Sequence, residues 1–109
     1  MNISRFMSAL EVRLNEYKTR AGLTYFKSFK VIATETPKYF KVFRSEIQNE
    51  DWNTKPMNAS IVCFIDKETG DILKPASWKV PAKGIRGNVS SEFNGMEAID
   101  ECGFVKYLR

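Results

Sequence analysis

Not one of the 109 residues is histidine. That absence removes the commonest general base, the serine–histidine and cysteine–histidine nucleophile pairs, and the commonest metal ligand. Only two cysteines occur, Cys63 and Cys102, and without histidine they cannot complete a structural zinc site. Neither a G-x-x-x-x-G-K-[ST] phosphate loop nor a G-x-G-x-x-G fingerprint is present. Long apolar runs are missing as well. Arg5, Glu11 and Arg13 interrupt the N-terminal stretch, whereas a signal peptide needs an unbroken apolar core and a membrane-spanning helix about 20 apolar residues. The expectation is a soluble chain with no membrane partner, kept in the compartment where it is made. The triplets Asn58-Ala59-Ser60 and Asn88-Val89-Ser90 then read as chance.

Carboxylates are the remaining route to catalysis or metal binding. Asp66, Glu68 and Asp71 cluster, but a calcium loop starting at Asp66 would need a glutamate where Ser77 stands. They read as soluble turn residues. Nothing fixes Glu97, Asp100 and Glu101 as an acid pair. The chain is therefore expected to be no enzyme and to hold no cofactor or metal.

What is present suits a folded domain. Apolar residues make up 43% and aromatics 13%, enough for one core in a single domain spanning 1–109. Such a chain buries roughly two thirds of its unfolded surface, so no staple is required. Cys63 sits in an apolar run and reads as a small hydrophobe rather than half of a disulfide.

Ile3, Phe6, Met7, Leu10, Leu14 and Tyr17 recur at the spacing of one helical face, predicting a helix over 3–20. Asn2 or Ser4 can cap its start, and Gly22 suits the left-handed stop. The polar face mixes both charge signs, which favours packing on a sheet over lying on a membrane. Residues 25–47 read as extended, with Phe29, Val31 and Ala33 alternating against Lys30, Ile32 and Thr34, and with Thr36-Pro37 as a break. If Lys27, Lys41 and Arg44 share an outer face with Tyr25 or Tyr39, that face can stack bases and hold phosphates. The plainer reading makes the aromatics core and the lysines solvated. Residues 48–58 read as a polar loop tipped by Trp52. Ala59 to Ile65 is the most apolar run and predicts a central strand, with Asp66–Gly70 as a turn and Ile72–Ala76 as the return.

Beyond Trp78 the period is lost. Pro81, Gly84 and Gly87 predict an irregular loop over 77–95, with at most a helical turn at 81–85. A brief helix at Met96–Glu101 and a closing strand over 103–108 complete the expectation. The fold class is α+β: an N-terminal amphipathic helix packed on a twisted antiparallel sheet of four or five strands, with a long irregular loop after the central hairpin.

Net charge is +4 but unevenly spread: residues 46–71 sum to −4 and residues 72–86 to +4. Lys74, Lys79, Lys83 and Arg86 follow one another three to five residues apart with no acid between them. Trp78 among them offers a stacking plane. Several cations with an aromatic face meet the demands of nucleic-acid binding. The candidate site is Lys74, Trp78, Lys79, Lys83 and Arg86, with Lys41 and Arg44 in support. The plainer alternative is an ordered loop in which Trp78 plugs the core.

The run Gly70–Asn88, GDILKPASWKVPAKGIRGN, together with the ending Tyr107-Leu108-Arg109, resembles a family of small tailed-bacteriophage proteins that share a GDxxKxASWKxPAKxxRxN signature. The resemblance covers the last half of the chain and brings no catalytic residues with it. It implies a phage-type accessory protein working in the host cytoplasm. Its partner would be nucleic acid or, alternatively, a host bacterial protein or a small anionic nucleotide captured in host takeover or anti-defence.

Overall fold

Phe6, Leu10 and Leu14, four residues apart, are fully buried and define one face of helix α1 (Ser4–Ala21). They do so in a computed structural model that describes residues 2–47 and 56–106, with the backbone alone for 56–58. The helix stops at Gly22, whose φ of 69° lets its N–H turn back to the last carbonyls. Lys18 and Arg20 in the last turn complement the helix dipole. Ile3 occupies the N-cap position, while Asn2 Oδ1 accepts the Ser4 N–H at 2.9 Å.

Five strands follow: β1 (Ser28–Glu35), β2 (Tyr39–Ile47), β3 (Pro56–Asp66), β4 (Asp71–Pro75) and β5 (Pro81–Asn88). Each pairs antiparallel with the next, so spatial order equals sequence order. The central hairpin turns as expected, with Asp66 Oδ1 accepting the Glu68 and Thr69 N–H groups. Alternation puts Phe29, Val31, Val42, Cys63, Ile65 and Ile72 into one core with the helix stripe. Ala98, Ile99 and Val105 from the C-terminal segment close that core.

Two flanks hold the helix in place. On one, Asn15 Oδ1 accepts the Phe29 N–H at 2.8 Å, and its Nδ2 donates to the Phe29 carbonyl at 3.2 Å. Glu11 Oε1 accepts the Val31 N–H at 2.8 Å. On the other flank, Arg13 donates to the Ile99 carbonyl and Arg20 to the Glu101 carbonyl. The far end of the sheet is tied by Glu97, whose two carboxylate oxygens accept the Asn88 N–H (3.0 Å) and the Ser91 hydroxyl (2.7 Å).

The α+β class and the helix-on-sheet arrangement hold, but the segment after Trp78 differs from expectation. Residues 81–88 are not an irregular loop or a helical turn; they are the fifth strand, at the sheet edge. Proline is tolerated at the first residue of an edge strand, and glycine marks the irregular pairing around Leu73 and Ile85. The closing strand is reduced to a single bridge between Ile99 and Val105, and the brief helix to one 3₁₀ turn, Met96–Ala98. The expected loop over 48–58 already contains the start of β3. Trp52 and Tyr107-Leu108-Arg109 lie outside the described residues.

Gly95 makes the turn into that 3₁₀ segment possible. Its φ is 90°, and a Cβ there would come 2.7 Å from Ile72 Cδ1 and 2.9 Å from Phe6 Cδ1. Gly95→Ala should cost at least about 2 kcal/mol in urea unfolding, combining the left-handed penalty with core overlap. Gly22→Ala, with nothing within 4 Å, should cost about 1 kcal/mol, the backbone penalty alone. Equal losses would rule out the overlap.

Glu97 gives the fold a pH dependence. Burial pushes its pKa up, but the Ser91 hydroxyl and the Asn88 N–H stabilise the carboxylate and hold the net value below the ordinary one. A carboxyl depressed in the folded state contributes stability above its unfolded pKa of about 4.3 and loses it as pH falls through the folded value. Urea midpoints measured between about pH 3 and 6 should therefore fall on acidification, and Glu97→Gln should make that fall shallower.

Candidate nucleic-acid interface

Strand parity sorts the basic and aromatic residues. The β1–β2 register runs without a shift, so Phe40, Val42 and Arg44 share one face and Tyr39, Lys41 and Phe43 the other. Val42 is buried in the core with the helix stripe, which makes the second set the face that α1 leaves uncovered. Directly paired residues share a face, so Thr34, Ile32 and Lys30 of β1 join it opposite Lys41, Phe43 and Ser45. Phe64, paired with Lys41 and Leu73, and Ile85, paired with Leu73, extend it towards β5.

The β4–β5 connection bends onto this face. Pro75 pairs with Pro81, and because neither has an N–H the ladder ends there. The tip closes on itself: the Ala76 and Ser77 N–H groups both donate to the Val80 carbonyl at 3.1 Å. Ser77 Oγ accepts the Lys79 and Val80 N–H groups. So shaped, the tip crosses β3 and reaches β2. The Trp78 ring lies 5.5 Å from Phe43 at an interplanar angle of 38°, and Lys41 Nζ donates to the Trp78 carbonyl at 2.7 Å. Beneath them Phe64 is fully buried, with the Tyr39 ring edge-on at 5.5 Å and the Lys41 ammonium 5.7 Å from its centroid. Trp78 itself is 57% exposed. It is not a core plug.

Of the expected site, Trp78 and Lys41 are brought together, and Lys79 stands exposed beside them in the tip. Lys83 is exposed on β5, and Lys74 is half-buried on β4. Arg86 is not displayed. Its Nη1 donates to the Lys83 and Gly84 carbonyls at 2.9 and 2.8 Å, tying the guanidinium to its own strand. Arg44 is on the opposite face, with Phe29 and Tyr25, so the expectation that it shares a surface with Lys41 is corrected: three steps along a strand whose pairing with β1 has no shift reverse the face. Phe43, Lys30 and Ile32 are additional members of the uncovered face. The odd-numbered alternation Tyr39, Lys41, Phe43 carried the signal for Phe43, but only the pairing register brings in Lys30 and Ile32.

The acidic turn is occupied with itself. Asp71 accepts the Thr69 hydroxyl and the Asn88 amide, and Asp66 caps its own turn. Among the described residues no three acids or cysteines are grouped so as to hold a metal ion. Cys63 and Cys102 are free thiols, and burial pushes the Cys63 pKa well up, leaving it inert. Among the described residues no helix is long and apolar enough to cross a membrane.

No curated protein matches the chain, and no solved structure does. A family model does match, over residues 3–108, and the chain accordingly belongs to DUF7717, a family of unknown function.

Proposed function

We propose that the protein is a non-enzymatic binder of single-stranded nucleic acid and that the uncovered sheet face is its contact surface. The observation that carries this reading is Trp78: a half-exposed indole steadied on Phe43, with Lys41 beneath it and Lys79 beside it. An unpaired base can stack on such a plane, whereas a base inside a duplex cannot reach it. Tyr39 lies farther along the same strand, and Lys30, Lys41, Lys79 and Lys83 supply cations for phosphates. On the resemblance of Gly70–Asn88 to tailed-phage proteins, the setting would be the cytoplasm of an infected bacterium.

A second reading has its own support. Trp78, Val80 and Ile85, each more than half exposed, belong to one hairpin and would suit a host bacterial protein, with Trp78 as the anchor. Pull-down from bacterial lysate with and without nuclease separates the two, since a protein partner survives digestion.

The direct test is fluorescence titration in a Trp52→Phe background, so that the signal reports Trp78. Single-stranded oligonucleotides of dT or rU should quench it and bind more tightly than a duplex. Neutralising about four phosphates gives a log–log salt slope near −3 for a single strand. Trp78→Ala should weaken binding about tenfold or more, the scale of one lost base stack, and Lys41→Ala should reduce both affinity and slope. No quenching at low salt, or full affinity in the Trp78→Ala chain, would end this reading.

A further inference from the structure

Arg44, turned away from the outer face, lies in a cavity of about 450 Å³ on the helix side of the sheet. Its guanidinium carbon is 4.5 Å from the centroid of the Phe104 ring and 5.7 Å from that of Phe29. Among the described residues it makes no hydrogen bond and no ion pair. A guanidinium next to aromatic rings is restricted in orientation while keeping its donor fork available, and that fork matches a carboxylate or phosphate. The walls are aromatic too: Tyr17, Tyr25, Phe29 and Phe104. Glu46 stands in the same cavity and accepts the Tyr25 hydroxyl at 3.1 Å, which fixes the Tyr25 side chain.

From this arrangement we infer a second binding site, specific for a small flat-ringed molecule bearing an oxyanion, with Arg44 as the anion fork and Tyr25 and Phe104 as stacking walls. Its volume is that of a small-molecule pocket rather than a polymer groove. A larger cleft of about 900 Å³ between α1 and the C-terminal segment is a different case. There Arg13 and Arg20 already donate to the Ile99 and Glu101 carbonyls, and Glu16, Asp100 and Glu101 offset their charge. That cleft is a seam between packed elements. The Arg44 cavity holds a half-buried guanidinium against two aromatic rings, and its donor fork is not used by any hydrogen bond among the described residues, so a bound anion would displace no internal partner.

The two oxyanion sources are separable by probe. Adenosine monophosphate, phenyl phosphate and benzoate would be titrated by calorimetry, with aromatic carbon resonances of the ¹³C-labelled intact chain followed in parallel. At least one probe should bind saturably with Kd of about 1 mM or tighter, shifting the rings of Tyr25, Phe29 and Phe104. Preference for the phosphates over benzoate, or the reverse, identifies the group that Arg44 holds. Arg44→Gln should weaken binding about tenfold to a hundredfold, as expected for a lost charge-assisted pair. Trp78→Ala should leave it unchanged, so this site and the outer face can fail separately. If Arg44→Gln does not fold, Phe104→Ala, a change at a partly exposed ring, replaces it with the same expected weakening. No saturable binding of any probe, shifts confined to other rings, or undiminished binding in the folded Arg44 or Phe104 variant would overturn the site.

Discussion

Strand β1 is the end of the sheet, and on the side away from β2 its backbone N–H and C=O groups meet no strand among the described residues. Buried edge groups must be satisfied, at a cost of about 1–3 kcal/mol each when they are not. Here α1 does it with side chains. The Asn15 amide presents one acceptor and one donor to Phe29, as a neighbouring strand would, and Glu11 takes the Val31 N–H. These bonds fix the rotation of the helix about its axis, so that Phe6, Leu10 and Leu14 turn into the core and Arg13 and Arg20 towards the C-terminal segment. Everything packed on that face inherits its position from the edge of β1. An open edge is also a template for aggregation, and the same bonds blunt it.

The opposite edge is managed by other means. Glu97 covers the Asn88 N–H, and the Arg86 guanidinium takes the carbonyls of Lys83 and Gly84. With both edges partly tied and one face filled by the helix, the remaining large surface among the described residues is the other face. An antiparallel sheet can leave one face to water, and such a face normally carries polar residues. This one carries Tyr39, Phe43, Ile32 and Ile85, with Trp78 laid over it, and the lysines lie among them. That departure from pattern is the physical reason to look for a ligand there rather than at the acidic turn, where Asp66 caps the turn and Asp71 is bonded to Thr69 and Asn88.

Much of the architecture was legible from residue spacing because single strong rules governed it. The four-residue stripe on α1, the left-handed glycine after it, the apolar run of β3 and the Asp66 turn each had one reading. Strand β5 did not. Pro81, Gly84 and Gly87 are loop signals in isolation and edge-strand signals in context, and the context is the pairing of Leu73 with Ile85, which no local window contains. The site was legible in the same uneven way. Trp78 and Lys41 are 37 positions apart, yet the shared aromatic-basic composition drew attention to both. Arg44 was grouped with them by proximity in sequence, and β alternation sends it to the other side. Arg86 belongs with the cations by charge but is committed to its own backbone, a fact that only geometry carries.

Because every ladder joins neighbours in sequence, the sheet can zip from hairpin to hairpin without closing a large loop. Chains built from such local contacts fold comparatively fast. The docking of the C-terminal segment on the helix breaks that economy. The bond from Arg13 to the Ile99 carbonyl spans 86 positions, and closing so long a loop costs the most chain entropy. On a ribosome, helix and sheet residues emerge before the segment that covers the helix's second flank. Until then Leu14, which lies beside Gly103 in the finished fold, has no cover on that side. The stretch made after the sheet is thus the lid of the core, and its docking closes a core whose sheet can already be in place.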